Sequence, residues 1–158
     1  MRTVAAITAI ALILHVLSAV VWVGGMFFAH QVLRPAAAAL ASDARFALWS
    51  RVLGRFFPWV FAAIVLLLAS GFAMVFTVFG GFARLALYVQ LMMLLGIVMM
   101  LLFLHLYFAP WRRFQAAVGR RDWPEGGRQL GQIRAIVTVN LVLGLVTIAA
   151  ASGGAYWQ

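Results

Sequence analysis

Four long apolar stretches, parted by shorter polar ones, set the pattern of this chain. Between Thr3 and Leu33 there is no Asp, Glu, Lys or Arg. Similar runs recur further along, and a membrane-crossing helix needs about 20 apolar residues. Spans are therefore expected at residues 4–33, 57–79, 83–109 and 132–155. The first and third exceed what a bilayer requires and are expected to tilt or to reach into the headgroup region. The pattern predicts an all-α fold: a polytopic membrane four-helix bundle, with residues 1–158 as a single transmembrane domain.

The connections differ in kind. Arg34-Pro35 and an alanine run lead to Ser42, a candidate N-cap. Phe46, Trp49, Leu53 and Phe56 then recur at helical spacing, with Arg45, Arg51 and Arg55 among them. That combination predicts a short interfacial helix in the first connection. Gly80-Gly81 leaves room only for a tight turn. Pro110 to Gly131 reads as a polar loop, with Trp111 and Trp123 as interface anchors. His30 and His105 are each followed by a proline at the same offset, Pro35 and Pro110. Ala69-Ser70-Gly71 and Ala151-Ser152-Gly153 close the second and fourth spans. These matches suggest two repeated helical hairpins, helices 1–2 matching 3–4, although short matches also arise from biased composition.

Composition strengthens the membrane reading. Hydrophobic residues make up 66% of the chain and charged residues 9%, where a soluble domain carries roughly 25% charge. Cysteine is absent, which excludes disulfides, thiolate metal sites and iron–sulfur clusters. The net charge of +9 comes from arginine, with no lysine. No nucleic-acid motif accompanies it, so the arginines are expected to set topology and touch lipid headgroups. They concentrate in the first and third connections, which the positive-inside rule places in the cytoplasm. Both termini are then expected on the periplasmic side of a bacterial inner membrane.

Candidate chemistry lies mainly on the first helix. His15 sits about 18 Å along that helix from Thr3, and an ionisable group at such depth is a functional-site candidate. Ser18, Trp22 and Gly25 share its face. His30 and His105 are expected at similar depth near the inner surface, on helices running in the same direction. Fifteen residues separate His15 from His30, about 22 Å of helix, too far to share one ion. Membrane b-type cytochromes place histidines of parallel helices at two depths, and helix bundles commonly hold cofactors between facing helices. The expected cofactor is therefore haem b. His30 and His105 are its inner ligand pair, and His15 ligates or supports a deeper position. A His15–His105 pair is the alternative.

Arg34, Arg112 and Arg134 are candidates for propionate contacts, and Asn140 is a buried polar group in need of a partner. A structural role for each histidine stays open. Copper is the alternative metal at His15, His30 and His105, because thioether sulfur suits Cu(I). Met92, Met93, Met99 and Met100 recur on the third helix, where they also serve as ordinary apolar residues. No carboxylate lies inside a span, and no phosphate loop, nucleophile elbow or zinc-protease motif is present.

Leu14-His15, Trp22-Val23-Gly24-Gly25, Leu33-Arg34-Pro35 and Leu104-His105-Leu106-Tyr107-Phe108-Ala109-Pro110 resemble the CopD-like integral membrane proteins. The likeness extends through Phe57-Pro58-Trp59 and Arg134 to Gly144. The chain is also distantly similar to HemJ, a four-helix, haem-binding protoporphyrinogen oxidase. His15, His105, Arg134 and Asn140 fall on comparable positions, while Tyr88-Val89-Gln90 stands where HemJ has a His-x-Lys pair. These resemblances imply a haem b-binding membrane protein with an electron-transfer or quinone-linked role, a membrane oxidoreductase. The alternatives are copper handling or transport, HemJ-like oxidation, and a non-redox accessory subunit. The expected partners are the lipid bilayer, a quinone or a redox partner protein, with a homodimer permitted by the apolar outer faces.

Overall fold

The computed structural model describes residues 2–154. Four helices long and apolar enough to cross a membrane make up nearly all of it: α1 (Arg2–Ala38), α2 (Ser42–Val78), α3 (Leu87–Gly119) and α4 (Trp123–Gly153). Among the described residues there is no strand. The protein is an integral membrane four-helix bundle.

The helices are longer than the spans read from hydropathy. α1 and α2 have 37 residues each, about 55 Å of helix against about 30 Å of hydrocarbon. They continue because each apparent breaker is accommodated. Pro35 lacks an N–H and would crowd the carbonyl of Gln31 in a regular α-helix. The preceding turn, Phe28–Leu33, widens to π-helical hydrogen bonding and relieves that clash. A second π-helical turn, Tyr107–Trp111, contains Pro110. Pro58 lies inside α2 without ending it, as membrane helices tolerate.

α1 packs along α2 and α4, and α4 packs along α3. α1 and α3 lie on a diagonal and meet at the centre, where the Trp22 and Phe103 rings are 6.2 Å apart, edge to face. Phe103 also meets Phe57 at 5.5 Å and Phe61 at 5.1 Å from α2. With no hydrophobic drive between helices in lipid, such van der Waals packing holds the bundle together. Gly144 lets α4 approach α1 and α3 at this level. A methyl there would lie 2.8 Å from Val23 Cγ2 and 3.2 Å from Met99 Cε. Gly144→Ala is expected to lower stability by about 1–3 kcal/mol through overpacking, read by unfolding in mixed micelles. An unchanged midpoint would mean that Val23 and Met99 move aside and that the close approach is not needed.

Several expectations are corrected. The short interfacial helix does not exist as a separate element. Its residues form the first part of α2, and Phe46, Trp49 and Leu53 are buried in the protein rather than laid on lipid. Phe46 stacks on Trp123 at 5.7 Å and meets Phe114 edge-on at 6.1 Å. Trp111 is buried and is a core residue rather than an interface anchor, while half-buried Trp123 packs against the core at Phe46. The polar loop is helical almost throughout. α3 runs to Gly119, and α4 starts at Trp123 behind a turn in which Arg121 adopts φ 57°. The cap here is Asp122, whose carboxylate accepts from the Glu125 N–H at 3.1 Å. Ser42 is the first helical residue of α2, not its cap. Gly80 and Gly81, at φ 69° and 121°, form the expected tight turn, a conformation that suits glycine. The paired Ala-Ser-Gly motifs are not equivalent. Ser70 lies inside α2 and bonds a histidine of α1, whereas exposed Ser152 donates only to its own helix, at Ile148.

Candidate functional site

The first polar position between helices lies at the α1–α2 seam. His15 Nδ1 is 2.9 Å from Ser70 Oγ. The serine has one proton, and it goes to the carbonyl of Leu66 at 2.5 Å, one turn earlier on α2. With its proton on the Leu66 carbonyl, Ser70 accepts from His15 in the tautomer that carries the proton on Nδ1, and in that tautomer Nε2 carries the lone pair. This is the arrangement a metal-binding histidine uses, with one ring N–H donated to an oxygen and the other nitrogen free. Gly71 makes room for the ring, whose Cε1 would stand 3.4 Å from a methyl at that position. Nearer the chain termini, the Thr8 and Thr77 hydroxyls pair at 3.1 Å, continuing the polar seam. Met74, four residues after Ser70, is partly buried on the same face of α2.

The second position repeats the device on α4. His30 Nδ1 lies 3.4 Å from Thr138 Oγ1, and Thr138 donates to the Arg134 carbonyl at 2.8 Å. The hydroxyl again bonds its own helix and is free to accept from the ring in the Nδ1–H tautomer. The longer distance makes this the weaker contact. His30 and Arg34 share a cleft with Arg134 and Trp49 at the arginine-rich end of the bundle.

The remaining sequence candidates are not brought to these positions. His105 is exposed on the outer surface of α3, so the structure does not assemble an inner pair of His30 and His105, nor His15 with His105. Arg112 is also exposed and lies over the Phe108 ring at 5.2 Å, apart from Arg34 and Arg134. Asn140 has its partner in the backbone: Nδ2 donates to the Met99 carbonyl at 3.2 Å, tying α4 to α3. Met99 is an ordinary core residue beside Gly144.

The space between the helices also bears on the expected cofactor. Trp22, Phe57, Phe61 and Phe103 fill the centre, and the cleft beside His30 measures about 20 Å³. The cleft beside His30 is too small to hold a haem, so no chemistry is routed through one there. Among the described residues, no three of His, Cys, Asp or Glu come together.

Sequence reasoning missed Ser70, Thr138 and Trp49 as site residues. A hydroxyl one turn beyond Arg134 was a usable signal for Thr138. Trp49 was hidden by its assignment to an interfacial helix, and only the packing of α1 on α2 finds Ser70.

The family model described as CopD, copper resistance protein D, matches residues 50–153. That match covers most of α2 and all of α3 and α4, and begins after α1. No curated protein matches the chain, HemJ included, and no solved structure matches it.

Proposed function

The chain belongs to the copper resistance protein D family, and from that premise we propose that it handles copper within a bacterial inner membrane, taking it at His15. Both termini face the periplasm in this reading, and copper is the cargo rather than a resident cofactor. The observation that carries the reading is the His15–Ser70 contact between two apolar helices; when His15 donates from Nδ1 to the serine, Nε2 is left to bind a metal. Imidazole and thioether are both good copper ligands, and thioether favours the Cu(I) state. Met74 offers the thioether on the same seam, one turn from Ser70. His30 presents a second imidazole, beside Thr138, about 22 Å further along α1. That distance makes it a separate station rather than a co-ligand.

The test is metal content of the protein purified in mild detergent and loaded anaerobically with Cu(I). Wild type is expected to retain copper near stoichiometry. His15→Ala is expected to lose most of it while keeping its melting temperature within a few degrees. Equal copper in wild type and His15→Ala would sink the assignment. A Soret band that disappears with the His15 substitution would replace copper by haem iron at the same nitrogen.

A further inference from the structure

The cleft at the arginine-rich end is lined by Arg34, Arg134, His30 and Trp49, and among the described residues by no carboxylate. Trp49 is 4% exposed, and its indole Nε1–H has no hydrogen-bond partner. The Nε–H of Arg134 is likewise buried and unpartnered. The Arg134 guanidinium lies over the Trp49 ring, its Cζ 5.7 Å from the centroid. Arg34 and His30 border the same cleft.

The chain has three acidic residues, Asp43, Asp122 and Glu125. None neutralises this group. Among the described residues the ion pair formed is that of Glu125 with Arg128, and Asp122 caps α4. A buried donor left without an acceptor is destabilising, more so when it belongs to a charged group. Two such donors beside a second guanidinium make a site that an oxyanion would complete.

We propose that this cleft binds a phosphate oxyanion, with Trp49 Nε1, Arg134 Nε and the Arg34 guanidinium as its donors. Arginine suits phosphate because its planar fork offers several N–H groups in fixed directions. The cleft, about 20 Å³, admits an oxygen or two rather than a whole free anion. Phosphate oxygens therefore reach in while the rest of the ligand stays outside. Arg134 belongs to a helix that crosses the membrane, and Arg34 follows the long apolar run of α1, so the cleft sits at headgroup depth. The phosphate of a membrane phospholipid is the source that fits this depth, and free phosphate is the other source of the same chemistry. The inference does not depend on copper binding at His15, which lies on the α1–α2 seam.

The probes are phosphatidylglycerol, diacylglycerol with the same chains, and inorganic phosphate, each added to the full chain in detergent and read by native mass spectrometry. Phosphatidylglycerol is expected to give a discrete one-to-one adduct and diacylglycerol none. Trp49→Phe keeps the ring packing and removes one donor, and is expected to weaken the adduct about tenfold. Arg134→Gln is expected to weaken it at least as much. An adduct with inorganic phosphate that also falls in Trp49→Phe would assign the site to free phosphate. The proposal is overturned if wild type binds neither probe, if diacylglycerol binds equally, or if Trp49→Phe leaves the adduct unchanged. Should Arg134→Gln fail to fold, the Trp49→Phe comparison decides alone.

Discussion

Phe103→Ala is expected to be among the most destabilising single substitutions in the bundle, by about 3 kcal/mol. Phe103 is 3% exposed and touches Trp22 of α1, Phe57 and Phe61 of α2, and Tyr107 of its own helix. In lipid the transfer part of the usual cost is small, because a separated helix would show the ring to acyl chains rather than to water. The cavity part remains. Roughly 100 Å³ of lost ring volume at about 24 cal/mol per Å³ gives about 2.4 kcal/mol. Lost edge-to-face pairs add about 0.5–1.5 kcal/mol each where neighbours cannot re-pack. The measurement is unfolding by titration with a denaturing detergent. The control is Leu101→Ala on the same helix, where the side chain is 60% exposed and faces lipid. If the two variants unfold at the same midpoint, the centre of the bundle is not packed as described.

Ser70→Ala is expected to reduce copper retention at His15 by about 10- to 100-fold, the usual effect of removing the group that orients a ligating histidine. The substitution leaves the ring in place and removes the acceptor of its Nδ1–H. The imidazole is then free to rotate or to change tautomer, and Nε2 is no longer presented in one direction. Ser70→Thr keeps the hydroxyl and is expected to retain most of the copper. Nitrogen-15 spectra of histidine-labelled protein give an independent readout: wild type is expected to show the Nδ1–H form for His15. An Nε2–H form would refute the tautomer whatever the metal result. Unchanged copper in Ser70→Ala would limit Ser70 to helix packing.

Much of the architecture was legible in the residue pattern. The four spans, the turn at Gly80-Gly81 and the membrane class follow from hydropathy, charge and glycine alone. Helix lengths were not legible, because Pro35 and Pro110 read as parts of connections. Pro35 instead follows a widened helical turn and Pro110 lies within one, and the chain stays helical through both. The Asp122 cap with Glu125 three residues on was a readable helix start, but it was overshadowed by the surrounding arginines. The site divides in the same way. His15 stood out because an imidazole within an apolar span demands a partner. His105 stood out equally, and the structure leaves it on the outer surface.

The sequence by itself determined that this chain must be helical and membrane-embedded, since 66% hydrophobic residues and 9% charge allow no soluble alternative. It also determined that His15 is buried in an apolar span at a depth where it cannot be solvated for free. Which side chain answers each buried donor was decided by tertiary structure alone. Periodicity assigns a residue to a face of its own helix, but the partner depends on which helix packs there and in what register. That pairing gave Ser70 to His15, Thr138 to His30 and the Met99 carbonyl to Asn140, and among the described residues it left Trp49 Nε1 and Arg134 Nε without a partner.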